Sequence, residues 1–130
     1  MEVRRILEAG AAAQAAVKID TAGAEELMEV ALALEKTVDC DRSEDILDLE
    51  LRFHRLVLHL CQNPELDRLA NSVHALFRTL SASGRASHGH AQVRHTEIAE
   101  AISAKDPQRA SNAMWRHLSE GIASLADAGG

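Results

Sequence analysis

Tyrosine is absent from this chain of 130 residues, and its only aromatic side chains beyond histidine are Trp115, Phe53 and Phe77. None belongs to a basic stripe of lysines and arginines. With 14 Lys+Arg against 20 Asp+Glu the formal charge is −6, so phosphate-driven binding finds no footprint and direct nucleic-acid contact by this domain is not expected. Cysteine is also scarce. Cys40 and Cys61 are separated by a spacing that matches neither a metal nor a redox motif, which reads as two free structural thiols in a reducing cytoplasm. The start, "MEVRRILEAG", lacks the apolar run of a signal peptide, and no stretch approaches membrane-spanning length. A cytoplasmic protein with no membrane partner is therefore expected. There are only two prolines, and most glycines lie between or beside periodic segments, which favours an all-α fold. The length suits a single domain spanning residues 1–130.

What the chain does have is alanine, leucine and helical periodicity. Val3, Ile6, Gly10, Ala13 and Val17 form one stripe of a first helix over 2–18, so rich in small residues that neighbours can approach closely. Leu27, Val30, Ala31, Leu34 and Val38 define a second helix after Asp20 and Thr21, which can cap it. Asp41 and Glu44 resemble a capping box opening a third helix that runs to about Gln62. Asn63 and Pro64 start a fourth, with Leu66, Leu69, Ala70, Val73, Leu76, Phe77 and Leu80 as its apolar stripe. A loop, "SASGRASHGH", precedes a fifth helix expected from about 89 to 105. Asp106 and Pro107 open a sixth, whose stripe is Ala110, Ala113, Met114, Leu118, Ile122 and Leu125.

The third helix has a clean polar face of Asp45, Asp48, Arg52, Arg55, His59 and Gln62. Yet Glu50 and His54, one turn apart, fall among Ile46, Leu49, Phe53, Leu56, Val57, Leu60 and Cys61 on the opposite arc. By the same sorting His95 lies in register with Ala91, Ile98, Ala99 and Ile102, and His117 with Ala110, Ala113, Met114 and Gly121. His59 and His74 keep company with charged residues, and His88 and His90 fall in the loop; all four read as solvated. An inward carboxylate is costly unless it is paired, protonated or bound to a cation. Three inward imidazoles beside it point to a divalent metal held by Glu50, His54, His95 and His117. Zinc stands first, and nickel, manganese or iron suit the same nitrogen-and-carboxylate set. Each inward histidine, taken singly, has the competing reading of a hydrogen-bonded core residue, and Glu50 that of a partner to Arg4 or another cation. On spacing alone, Arg4 reads as an edge arginine with its stem packed and its head in water.

Three segments carry a resemblance. "RRILEAGAAAQAA", "ELRFHRLVLHLCQNPEL" and "HTEIAEAISAKDPQRASNAMWRHL" are similar to the R-x-x-L-E-x-x-A-A, D-x-x-x-H…N-x-x-L and H-x-x-I…M-x-x-H-L segments of the FadR C-terminal (FCD) domain, the effector-binding half of FadR-type GntR transcriptional regulators. The resemblance implies an antiparallel bundle of six to seven helices, often a homodimer, around a metal site of one aspartate and three histidines. It further implies a small carboxylate metabolite as effector, held by the metal and by an arginine of the first helix. Carried onto this chain, the histidines are His54, His95 and His117, the arginine is Arg4, and Asn63 matches the family's asparagine, read here as a cap. The family's aspartate is Glu50, a longer side chain that has to fold back or shift the ion, and Asp48 projects from another face. No winged helix-turn-helix precedes the domain in this sequence, which suggests a truncated chain or a solitary sensor.

The expected function is ligand sensing rather than catalysis. A metalloenzyme is the rival, because open positions on such an ion can activate water. It would need a general base, and no second inward carboxylate is evident in the sequence. A metal-free helical dimerisation domain, with Glu50 in an internal ion pair, is the third reading.

Overall fold

The computed structural model describes residues 2–39, 43–82 and 94–129, with the side chains of 38–39, 43–44, 76–82 and 120–129 left aside. The described chain is all-α. Six helices follow in order, α1 (Glu2–Lys18), α2 (Thr21–Asp39), α3 (Ser43–Leu60), α4 (Pro64–Ala82), α5 (His95–Ser103) and α6 (Pro107–Gly129), and no strand occurs among the described residues. They form a helical bundle.

The helix ends follow side-chain chemistry. Asp20 Oδ1 accepts the Gly23 amide at 2.7 Å, Asn63 Oδ1 that of Leu66 at 3.1 Å, and Asp106 Oδ1 that of Arg109 at 3.0 Å. Each satisfies an amide that the first helical turn leaves without a partner, and Pro64 and Pro107 occupy first positions where no amide is needed. The proposed Asp41–Glu44 box lies outside the described residues. At the far end of α5, Lys105 adopts a left-handed φ of 58°, and Asp106 N donates to Ala101 O at 3.1 Å to close the turn. α5 itself begins later than its expected start at 89: Arg94 is extended, and the helix opens at His95. Residues 89–93, and Ala91 with them, lie outside the described residues.

α1 packs against α3, α4, α5 and, most extensively, α6. Its alanines permit this crowding, because Ala11, Ala12, Ala15 and Ala16 are fully buried and let four neighbours approach one helix. α6 returns antiparallel: Arg5 near the start of α1 donates to Ser119 Oγ at 3.1 Å, while Lys105 just before α6 donates to Ile19 O at 2.8 Å. Lys18 ties the other end of α1 to α3 by donating to Cys61 O at 2.9 Å.

One face is the reverse of the expectation. Val3, Ile6 and Val17 are 54%, 57% and 64% exposed, and the buried side of α1 carries Arg4, Glu8, Ala11 and Ala15 instead. Arg4 and Glu8 neutralise each other one turn apart, so the face that looks more polar in sequence can enter the core while the apolar stripe stays outside. Leu69, placed in the α4 core stripe by its spacing, is likewise exposed, and His74 turns inward in its stead. Elsewhere the buried stripes follow the periodicity: Leu27, Val30, Ala31 and Leu34 on α2; Phe53 and Val57 on α3; Ile98, Ala99 and Ile102 on α5; Ala110, Ala113, Met114 and Leu118 on α6. Cys61 is a free, buried thiol; Cys40 lies outside the described residues.

Candidate metal centre

Three helices bring four polar side chains together. Glu50 and His54 project from α3, His95 is the first residue of α5, and His117 lies midway along α6. One ligand atom from each lies within 4.8 Å of all the others. His54 and His117 are buried, while Glu50 and His95 are half-buried. Phe53 backs the cluster edge-on, with its ring 4.9 Å from that of His95 and 5.5 Å from that of His54. The His54 and His117 rings stack at 5.6 Å, and His95 meets His117 at 4.3 Å. Glu50 does reach the histidines despite its extra methylene: its Oε1 is 3.7 Å from His95 Nε2.

The arrangement fits a cation. Nε2 of His54 and Nε2 of His95 are buried without a hydrogen-bond partner, a costly state unless something else occupies those lone pairs. Ligand atoms about 2.0–2.1 Å from a tetrahedral ion stand about 3.3 Å apart, and opposite ligands of an octahedral ion about 4.1 Å, so a modest inward closing of these side chains would grip one. Burial, reinforced by the charges of Arg4 and His95, lowers the His54 pKa against the upward pull of Glu8, leaving the imidazole neutral near pH 7. Neutral imidazole is the form that binds metal.

A second cluster abuts the first, and sequence reasoning missed it. Glu8 on α1 is fully buried and is the second inward carboxylate that the sequence did not reveal. Arg4 Nε donates to Glu8 Oε2 at 2.5 Å, His74 Nε2 of α4 approaches the same oxygen at 3.3 Å, and His54 Nδ1 lies 2.5 Å from Oε1. The His54 contact sets Nδ1 directly against the carboxylate, although the ring N–H does not point squarely along it. Burial alone would raise the Glu8 pKa; the charges of His54 and Arg4, with hydrogen bonds from His54 and His74, outweigh it and hold the carboxyl well below its usual range. Because His54 is itself uncharged near neutrality, Arg4 is the standing counter-charge. Arg4 is therefore no edge residue: it is 6% exposed and its Nε is committed to Glu8. His74, expected in solvent, is 1% exposed, whereas His59 is exposed as expected; His88 and His90 lie outside the described residues.

Residues 1–120 match the family model of the FCD domain. No curated protein matches the chain. Among the described residues no helix is long and apolar enough to cross a membrane.

Proposed function

The chain belongs to the FCD family, and on that premise we propose that it is the effector-binding domain of a FadR-type GntR regulator. In this reading a divalent ion, zinc first and nickel or manganese as alternatives, is held by Glu50, His54, His95 and His117, and a small organic acid completes its shell. The observation that carries the reading is the convergence of four ligand atoms within 4.8 Å, with two buried imidazole nitrogens lacking partners. A divalent ion with one carboxylate leaves a net positive site, which favours an anion over a sugar or an amine. The positive end of the α5 dipole, at His95, adds to that preference. The effector's carboxylate also meets Arg4, whose guanidinium carries Glu8 on its Nε edge. Sensing requires that the effector prefer one packing of the helices, which a winged helix-turn-helix domain outside this sequence would convert into altered operator affinity; tight binding alone would switch nothing.

The metalloenzyme reading gains a buried carboxylate in Glu8 but not a base. Paired with Arg4 and held ionised well below its usual range, Glu8 has little appetite for a proton near pH 7. The test of the metal reading is elemental analysis of protein purified without a nickel column. One divalent ion per chain, lost in His95→Ala, supports it. No ion in the wild type, even after zinc, nickel or manganese is added, sinks it. Where the ion is present, a thermal-shift screen of small mono- and dicarboxylates with and without metal follows.

The homodimer belongs to the same reading. Beyond its buried face, α1 presents a second apolar stripe to the outside, with Val3, Ile6 and Val17 exposed. Val3, Ile6, Gly10, Ala13 and Val17 repeat at alternating steps of three and four, the spacing of a helix–helix seam, and a Cβ added at Gly10 would meet nothing within 4 Å. Val3 and Val17 lie seven residues to either side of Gly10, so an antiparallel two-fold contact between copies of α1 centred on Gly10 would set Val3 of one copy against Val17 of the other.

A further inference from the structure

Among the described residues, Glu8 is the one buried charge that neither the metal set nor the effector contact uses, and its place is specific. It sits on α1, yet it meets histidines from two other helices, His54 of α3 at Oε1 and His74 of α4 at Oε2. Its Oε1 faces Nδ1 of His54, while Nε2 of the same ring is buried without a hydrogen-bond partner. A neutral imidazole carries its proton on only one of these nitrogens. A carboxylate against Nδ1 holds the proton there and leaves the lone pair on Nε2.

We propose that Glu8 is the positioning residue of the metal centre: it fixes the His54 tautomer and ring orientation so that Nε2 is the ligating nitrogen, with Arg4 as the counter-charge that lets a carboxylate reside at this depth. The proposal rests on the metal reading above. Ligating histidines commonly donate their second N–H to a carboxylate or carbonyl, and loss of that partner typically weakens metal binding about 10–100-fold. Here the partner comes from a different helix than the ligand. Closing of the site on an ion therefore pulls through His54 on α1, the helix around which α3, α4, α5 and α6 pack. Arg4 lies on that helix one turn before Glu8, so whatever engages its guanidinium acts on the same chain of contacts.

The test uses imidazole nitrogen–proton correlation spectra of the whole chain, metal-free and at a pH above 7, together with metal titration. The wild type should give an Nδ1–H tautomer for His54 and bind zinc. Glu8→Gln, nearly isosteric, should weaken zinc binding about 10–100-fold and shift the His54 tautomer population toward Nε2–H, leaving exposed His59 unchanged. Should Glu8→Gln disturb folding, the double variant Glu8→Leu with Arg4→Met removes both charges together and should show the same two effects. A wild-type His54 in the Nε2–H form, or zinc affinity unchanged in the Glu8 variants, overturns the role of Glu8 while leaving the metal centre intact. A wild type that binds none of the three metals overturns the metal reading itself, and the role of Glu8 toward an ion with it.

Discussion

The two polar clusters share His54 but solve the burial of charge differently. Around Glu8 every charge is matched within the protein: Arg4 and the two histidines surround a carboxylate with no solvent exposure. Around Glu50 the matching is loose. Its carboxylate is half-buried, its contact with His95 is 3.7 Å, and imidazole nitrogens nearby lack partners. The first cluster carries its cationic counter-charge, Arg4, within the protein, although it too leaves the imidazole nitrogens of His74 without a hydrogen-bond partner. On the proposed reading, the difference separates a carboxylate whose charge the fold itself balances from one that an ion would balance.

Breaking the closed cluster should cost most. Glu8→Ala removes the buried carboxylate that Arg4 pairs with, and removal of one partner from a buried pair typically costs about 3–5 kcal/mol. Glu50→Ala, at a half-exposed carboxylate, should cost metal-free protein about 1 kcal/mol or less. Urea denaturation without metal measures both, and equal losses would erase the distinction between the clusters. The next effect in size belongs to the open cluster. An ion at 100 times its Kd should stabilise the native chain by about 2.7 kcal/mol, read as a rise in Tm. The rise should vanish in His117→Ala and in His95→Ala, while His59→Ala, at an exposed ring on the same helix as His54, should keep it in full.

Acid should dissolve both clusters in sequence. His54 has a native pKa below its unfolded value of about 6.5, so its contribution is full above that pH and is lost as pH falls through the native value. Glu8, also depressed, adds its loss only below its unfolded value of about 4.3. Stability should therefore fall in two steps as pH drops from neutrality. Bound metal should steepen the first, because protons compete with the ion for imidazole. Denaturation midpoints from pH 8 to about 2 check this, and a maximum near pH 5 would contradict it.

The same contrast explains what the sequence discloses. Glu50, His54, His95 and His117 are legible because each falls on the apolar arc of its helix, beside Phe53 and Val57 on α3, Ile98 and Ile102 on α5 and Met114 on α6, which helical periodicity turns inward. The caps at Asp20, Asn63 and Asp106 are legible because their chemistry is local. Glu8 and His74 are hidden for a shared reason. On α1 the residues around Glu8 are alanines, which fit a core or a surface equally well, and the outward stripe of Val3, Ile6 and Val17 looks more hydrophobic than the buried face. On α4, His74 shares its arc with Asp67, Asn71 and Arg78, and only Ala70 one turn earlier hints at burial. A signal did exist. Arg4 and Glu8 stand four apart, a pairing that cancels their charge, and both lie in "RRILE", the opening of the segment that carries the family resemblance.

The smallest effect on the monomer should come from the outer face of α1, and it sharpens the contrast between inside and outside on one helix. Ile6→Glu places a charge on a residue 57% exposed, so the isolated fold should change by about 0.5 kcal/mol or less. In a dimer seamed along Val3, Ile6, Gly10 and Val17 the same charge would be buried in the interface, and dissociation should follow. Light scattering across a concentration series separates the cases. A wild-type dimer converted to a folded monomer by Ile6→Glu makes this stripe the interface. A monomeric wild type, or a dimer indifferent to the substitution, means that α1 carries its apolar outer face for some other partner.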